Sequence, residues 1–322
     1  MKFSEKIIWS EERKKWFCYD DQLIDEVLKS DYFIVPDYDY SKLEKKINKN
    51  FEFTKKVIKN FPMSNEGEKH LNLRNRMSQD INMNLKKAIH IFNETFQKKL
   101  FAIDQQRGSI NIGAPIIESI LQSNWAFANI DFECDFDYSD LTLMLDESQS
   151  IKTRLLREKF IKSIASKLDE QDRFYKIALI SVGVDALIST TLHSFIKVLS
   201  NFDYKNLTSR KYFYSNGIKY LERDCIQDRL LGDKEIKTGE RMRLYVESYE
   251  HANLSESQMN KKIFTTESNH SCIGMSYSLS IWKELIKVLQ KNFIDLHIIN
   301  FDYRSKDSIF NFPTNVYVEY QR

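Results

Sequence analysis

Cys272 lies in the run Asn269-His-Ser-Cys-Ile-Gly-Met275, directly ahead of an amphipathic segment. A cysteine at a loop-to-helix junction meets unpaired backbone N–H groups and the positive end of the helix, and both favour a thiolate that can ligate a metal. Gly274 lets the backbone pass close to that sulfur. His270, two residues before the cysteine, adds an imidazole. Three other places carry candidate chemistry. His70 and Arg74 are spaced i, i+4, so on a helix they share one face, as joint contact with one carboxylate requires. Gly183 and Asp185 sit inside a long apolar run, where a helical glycine costs about 1 kcal/mol against alanine and suggests that something packs on the backbone. Arg223 stands in the strand-like Tyr220-Leu-Glu-Arg-Asp-Cys225. Each has a plain structural alternative: a buried cysteine, a solvated charged helix, a glycine under a neighbouring helix, an exposed strand arginine.

The elements that must position these residues are mostly helical. With only eight glycines and four prolines in 322 residues, and apolar residues recurring three and four apart, helices dominate the expectation. Residues 7–19 read as a short hairpin, followed by a helix capped by Asp20 and Asp21 with Leu23, Val27 and Leu28 on one face. Further helices are expected over 41–60, 67–103, 114–128 and 151–169. Residues 172–200 are apolar around the whole circumference and read as one central, buried helix. After residue 217 the texture turns to strands, IKYLERDCIQD and ERMRLYVESY, with a hairpin between them. A helix over 275–292 and a last strand, NVYVEY, complete the chain. The fold class is mainly α with small β-sheets, an α+β arrangement, in one domain spanning 1–322.

Bulk properties narrow the function. Forty-eight Lys and Arg against 46 Asp and Glu leave a net charge of +2, which gives no case for a nucleic-acid partner. The four cysteines, Cys18, Cys134, Cys225 and Cys272, form no CxxC pair and fit a reducing compartment. The charged N-terminus offers no signal peptide or membrane anchor, so a cytoplasmic location is expected.

Taken in chain order, these segments resemble the cytochromes P450. NHSCIGM is similar to the family's heme-binding loop, FxxGxHxCxG. The opening hairpin and helix resemble its first β-hairpin and B helix, His70 and Arg74 its HxxxR, and Val182-Gly-Val-Asp-Ala186 its oxygen-binding groove AGx(D/E)T. Residues 220–242 resemble the strand with a propionate-binding arginine and the hairpin after it. The resemblance implies heme b (iron protoporphyrin IX) on the Cys272 thiolate, with His70, Arg74, Arg223, His270 and Gly274 holding the cofactor, and Gly183 and Asp185 serving catalysis. It implies a small-molecule or carrier-tethered organic substrate and a separate ferredoxin- or flavodoxin-type electron donor, since no flavin- or nicotinamide-binding glycine motif is present.

The sequence also departs from that pattern. Thr265 stands where the loop has phenylalanine, with Phe264 one place earlier, and Ser268 replaces the loop glycine. No ExxR pair is recognisable, because Leu207 lies three residues before Arg210. The chain is short in the regions that would roof the pocket. Ala186 replaces the groove threonine, whose hydroxyl would share a proton relay with Asp185. Three functions stay open on these grounds: a monooxygenase, a peroxide-dependent or isomerase-type heme-thiolate enzyme, and a binding protein of the same fold without turnover.

Overall fold

The computed structural model describes residues 6–37, 40–103, 105–128, 149–201, 204, 212–247, 254–268, 270–303 and 308–322. Leu207 and Arg210, the expected remnant of the ExxR pair, lie outside the described residues, as does Cys134.

The chain opens with strands β1 (Ile7–Ser10) and β2 (Lys15–Cys18), paired antiparallel as the hairpin expected from the sequence. Helix α1 (Asp21–Lys29) begins where Asp20 accepts the Gln22 and Leu23 N–H groups at 3.1 Å, and it buries Ile24, Val27 and Leu28. Such a cap is worth about 1 kcal/mol. After β3 (Phe33–Ile34), the stretch expected as one helix over 41–60 is two, α2 (Ser41–Ile47) and α3 (Glu52–Ile58). Asn48 in the left-handed region, at φ 50°, ends the first of them.

Helix α4 (Gly67–Phe101) runs 35 residues and buries Met77, Ile81, Ala88, Phe92, Phe96 and Leu100 in steps of four and seven. It is followed by β4 (Arg107–Asn111), α5 (Gly113–Trp125) and α6 (Ile151–Ala165). Glu158 of α6 accepts the Phe53 and Thr54 N–H groups at 2.8 and 2.9 Å, tying α6 to the start of α3.

The single central helix expected over 172–200 is broken into α7 (Arg173–Ser181) and α8 (Val184–Asn201). Gly183 has φ +74°, a conformation that ends a right-handed helix and that glycine adopts at little cost. The expected burial does hold, since 83% of the most apolar 18-residue window of this stretch lies inside the protein.

Strands β5 (Leu221–Cys225), β6 (Arg229–Leu231), β7 (Lys234–Ile236) and β8 (Arg241–Leu244) fall in the two strand-like segments and the hairpin between them. They complete a five-stranded sheet of order β1-β2-β8-β5-β3, in which β2 and β8 are parallel, and a two-stranded β6-β7 ribbon. Helix α9 (Glu256–Ile263) starts with a capping box between Ser255 and Gln258. Helix α10 (Met275–Asn292) follows the cysteine loop and buries Ile281, Trp282, Leu285 and Leu289. The last strands, β9 (Asp295–Tyr303) and β10 (Pro313–Gln321), join β4 in a sheet of order β4-β10-β9. The core is one continuous apolar cluster that draws on most helices and on all three ends of these sheets.

Candidate functional site

The loop between α9 and α10 presents Cys272. Its N–H donates to the Phe264 carbonyl at 2.9 Å, closing the loop on itself, and Thr265 turns it with φ +46°. Phe264, displaced by one position from the sequence pattern, is buried and packs on Phe213 with ring centroids 6.0 Å apart. The aromatic anchor of the loop is therefore kept by Phe264, and the left-handed Thr265 absorbs the one-residue offset. Arg74 of α4 donates to the Ser271 carbonyl and, at 2.8 Å, to the Ser271 hydroxyl, so the arginine of the HxxxR segment holds the residue next to the cysteine.

Cys272 is an exposed residue, yet the surrounding chain desolvates its thiol and pushes it above the ordinary range. The Gly274 N–H and Arg74 both act to stabilise the thiolate, but burial outweighs them. A Cβ on Gly274 would stand 3.8 Å from Sγ, so any side chain there would line the sulfur.

His70, near the start of α4, and His270, in the cysteine loop, come together. Their ring centroids are 4.4 Å apart in an edge-to-face arrangement. His70 Nδ1 bonds the Pro62 carbonyl at 2.9 Å while its Nε2 is buried without a partner. His270 Nε2 faces Glu66 at 3.4 Å while its Nδ1 is likewise buried and unpartnered. Burial, then the charge of Arg223, push His270 down to about 4, with Glu66 opposing. Arg223 on β5 is itself buried and donates to the Glu222 carbonyl at 2.8 Å. Two orphaned imidazole nitrogens thus lie in a polar cradle beside Arg223, with Glu66 at its edge.

The central helix supplies the other part. Along the middle of an otherwise buried stretch, Val182, Gly183 and Ala186 alone are accessible, Gly183 most of all. Nothing lies within 4 Å of where a Gly183 Cβ would be. Among the described residues, the neighbouring helix that the sequence allowed as a reason for this glycine is not in contact there. Asp185 is buried in the first turn of α8, where a carboxylate is favoured by the free N–H groups of a helix start. Ser189 and Thr191, one turn and more beyond Ala186, are fully buried with hydroxyls that have no partner.

The sequence reading found Cys272, His70, His270, Arg74, Arg223, Gly183 and Asp185, and the structure brings His70, His270, Arg223, Arg74 and the cysteine loop into one neighbourhood. It noted Phe264 as displaced by one place and missed Glu66 and Ser271. Glu66 directly precedes the glycine that opens α4, but nothing in its own spacing marks it as a partner of His270.

No protein-family model matches this sequence, and none of the curated proteins does. Solved structures do match. P450BioI, crystallised with hexadec-9Z-enoic acid ligated acyl carrier protein, is 13% identical, with a TM-score of 0.69 over 98% of this chain and 95% of that one. Cytochrome P450 CREJ is 13% identical at a TM-score of 0.74 over 99% and 94%. The heme domain of CYP116B5 from Acinetobacter radioresistens is 14% identical at 0.71 over 99% and 92%. A backbone that superposes along almost its whole length at such identity, with the cysteine loop running into α10 and a broken central helix, has the cytochrome P450 fold.

Proposed function

We propose that this chain is a heme-thiolate protein and acts as a P450-type monooxygenase on a small or carrier-tethered organic substrate. The observation that carries the reading is the state of the cradle. His70 Nε2 and His270 Nδ1 are buried and unpartnered beside Arg223, while Cys272 is exposed in the loop ahead of α10. A dianionic porphyrin side with a ferric centre answers both: carboxylates for the nitrogens and a cation for the sulfur. Heme b would be held by the Cys272 sulfur and, at its propionates, by His70, Arg74, Arg223 and His270, with Gly274 beside the sulfur. When bound, it would supply redox chemistry with O₂, fed by a separate ferredoxin- or flavodoxin-type donor.

The chain's own residues have definable tasks in this reading. Arg74 fixes Ser271 and with it the direction of the Cys272 side chain. The Gly274 N–H donates toward sulfur and tempers its basicity. The accessible Val182, Gly183 and Ala186 strip leaves room on the central helix, and Asp185 holds an acid one turn from Ser189. That the solved P450BioI was captured on an acyl carrier protein supports the tethered-substrate option without choosing it.

A second reading rests on Ala186, which is partly accessible and has no hydroxyl. Without an alcohol beside Asp185, proton delivery must run through another group, and a peroxide-dependent or isomerase-type reaction asks less of it. Turnover with peroxide and no reductase, absent with O₂ and reductase, would select that reading.

The test of the heme-thiolate assignment is the reduced, carbon monoxide-treated Soret spectrum of wild type beside Cys272→Ser. A strongly red-shifted thiolate-type band lost in the variant is expected. No heme uptake, or a band indifferent to the substitution, sinks the assignment.

A further inference from the structure

The break between α7 and α8 frees the Ile180 carbonyl from the bond that Val184 N–H would give it in a continuous helix. That carbonyl is not left to itself. Asn124, near the end of α5, donates its side-chain amide to it at 3.3 Å. The amide orientation is then determined, because a carbonyl only accepts: Nδ2 faces Ile180 and Oδ1 faces away. On that other side, the Tyr277 hydroxyl of α10 donates to Oδ1 at 2.8 Å and is also bonded to Ser123. Phe127 closes over the Tyr277 ring with centroids 4.8 Å apart and an interplanar angle of 85°.

All members of this relay are buried: Ser123 is 0% exposed, Asn124 4% and Tyr277 5%. Water therefore cannot substitute for either bond, and a buried carbonyl without a partner would be costly. Tyr277 stands five residues after Cys272, within the first turn of α10. One chain of hydrogen bonds thus links the helix that starts at the cysteine loop to the break that exposes Gly183. Ala186 lacks a hydroxyl with which α8 could hold an open break from inside.

We propose that Asn124 and Tyr277 are positioning residues that hold the α7–α8 break from outside and so set where Gly183 and Asp185 stand over the site. The link to catalysis rests on the heme-thiolate reading, whereas the hold on the break does not. Tyr277 orients the Asn124 amide, and Asn124 takes the carbonyl that the break releases. Aspartate at position 124 would set a carboxylate against that carbonyl and reverse the attraction.

Amide hydrogen exchange, followed by mass spectrometry on the full chain as purified, tests the hold. Asn124→Leu, which keeps the side-chain size, is expected to speed exchange at residues 181–186 at least tenfold while 190–199 stay protected as in wild type. Tyr277→Phe, the milder change, is expected to give a smaller rise confined to the same residues. A rise spread evenly over α5, α8 and α10, or none at 181–186, overturns the assignment. In heme-loaded protein, the C–O stretch of the carbon monoxide adduct should shift in Asn124→Leu while the thiolate-type Soret band stays in place. An unshifted stretch removes the positioning role over the site. Wild type that takes up no heme defeats the heme-thiolate reading alone, and the exchange data still decide whether Asn124 holds the break.

Discussion

His70 and His270, two hundred residues apart in sequence, stand edge to face with centroids 4.4 Å apart, and each keeps one buried ring nitrogen without a partner. Two imidazoles in contact beside Arg223 are poor neighbours for each other in a folded chain. A buried unsatisfied polar atom costs about 1–3 kcal/mol, so such a pair weighs against the stability of the heme-free chain.

This predicts opposite signs for two measurements on one variant. His270→Phe removes an orphaned nitrogen and gives up only a 3.4 Å contact with the half-exposed Glu66. The thermal midpoint of the heme-free chain should stay level or rise by a few degrees, whereas heme dissociation, followed by transfer to an acceptor globin, should quicken about tenfold, the equivalent of ~1.4 kcal/mol. A lower midpoint together with unchanged dissociation would show that the pair is structural.

Two glycines should behave differently on substitution by alanine. At Gly217 a Cβ would lie 2.2 Å from the Thr190 backbone nitrogen, so nothing flexible can yield, and Gly217→Ala should cost more than about 3 kcal/mol or abolish folding. At Gly183 a Cβ meets nothing within 4 Å, and only the φ of +74° opposes it. Gly183→Ala should cost about 1–2 kcal/mol. Urea midpoints of the two variants provide the comparison.

Glu222 on β5 accepts from Lys15 at 2.8 Å and from Arg243 at 2.8 and 2.9 Å, with all three side chains at most 12% exposed. Glu222→Gln leaves two cations buried around a neutral amide and should destabilise the chain by about 3 kcal/mol near neutral pH.

The same group predicts an acid dependence. Burial pushes the Glu222 carboxyl up, but Lys15 and Arg243 overcome it and hold the group below its ordinary value. A depressed carboxylate contributes stability that is fully present above its unfolded pKa of about 4.3 and is lost as pH falls through the folded value. Wild type should therefore lose stability between pH 5 and 3 more steeply than Glu222→Gln. Parallel losses in guanidinium titrations across that range would exclude Glu222 as a source of the acid sensitivity.

The amino-acid sequence by itself determined what is local. Asp20 ahead of an apolar stripe made the first helix, and the four- and seven-residue steps from Met77 to Leu100 made the long one. The order of His70, Gly183, Arg223 and Cys272 along the chain was enough to suggest both fold and cofactor, because each carries its chemistry in its own neighbours. Only the tertiary structure decided what depends on distant partners. A glycine inside an apolar run reads equally as a tolerated helical residue or as a break, and the empty space at Gly183 together with the Asn124 bond to Ile180 made it a break. Phe264 could be recognised as the loop anchor only once Phe213 was seen to receive it. Strands β4 and β9 carry little alternation of their own and exist because β10 supplies the ladder for both. The surroundings of Cys272 were decided in the same way: Arg74 of α4 holds the neighbouring Ser271, and the Phe264 carbonyl accepts the Cys272 N–H.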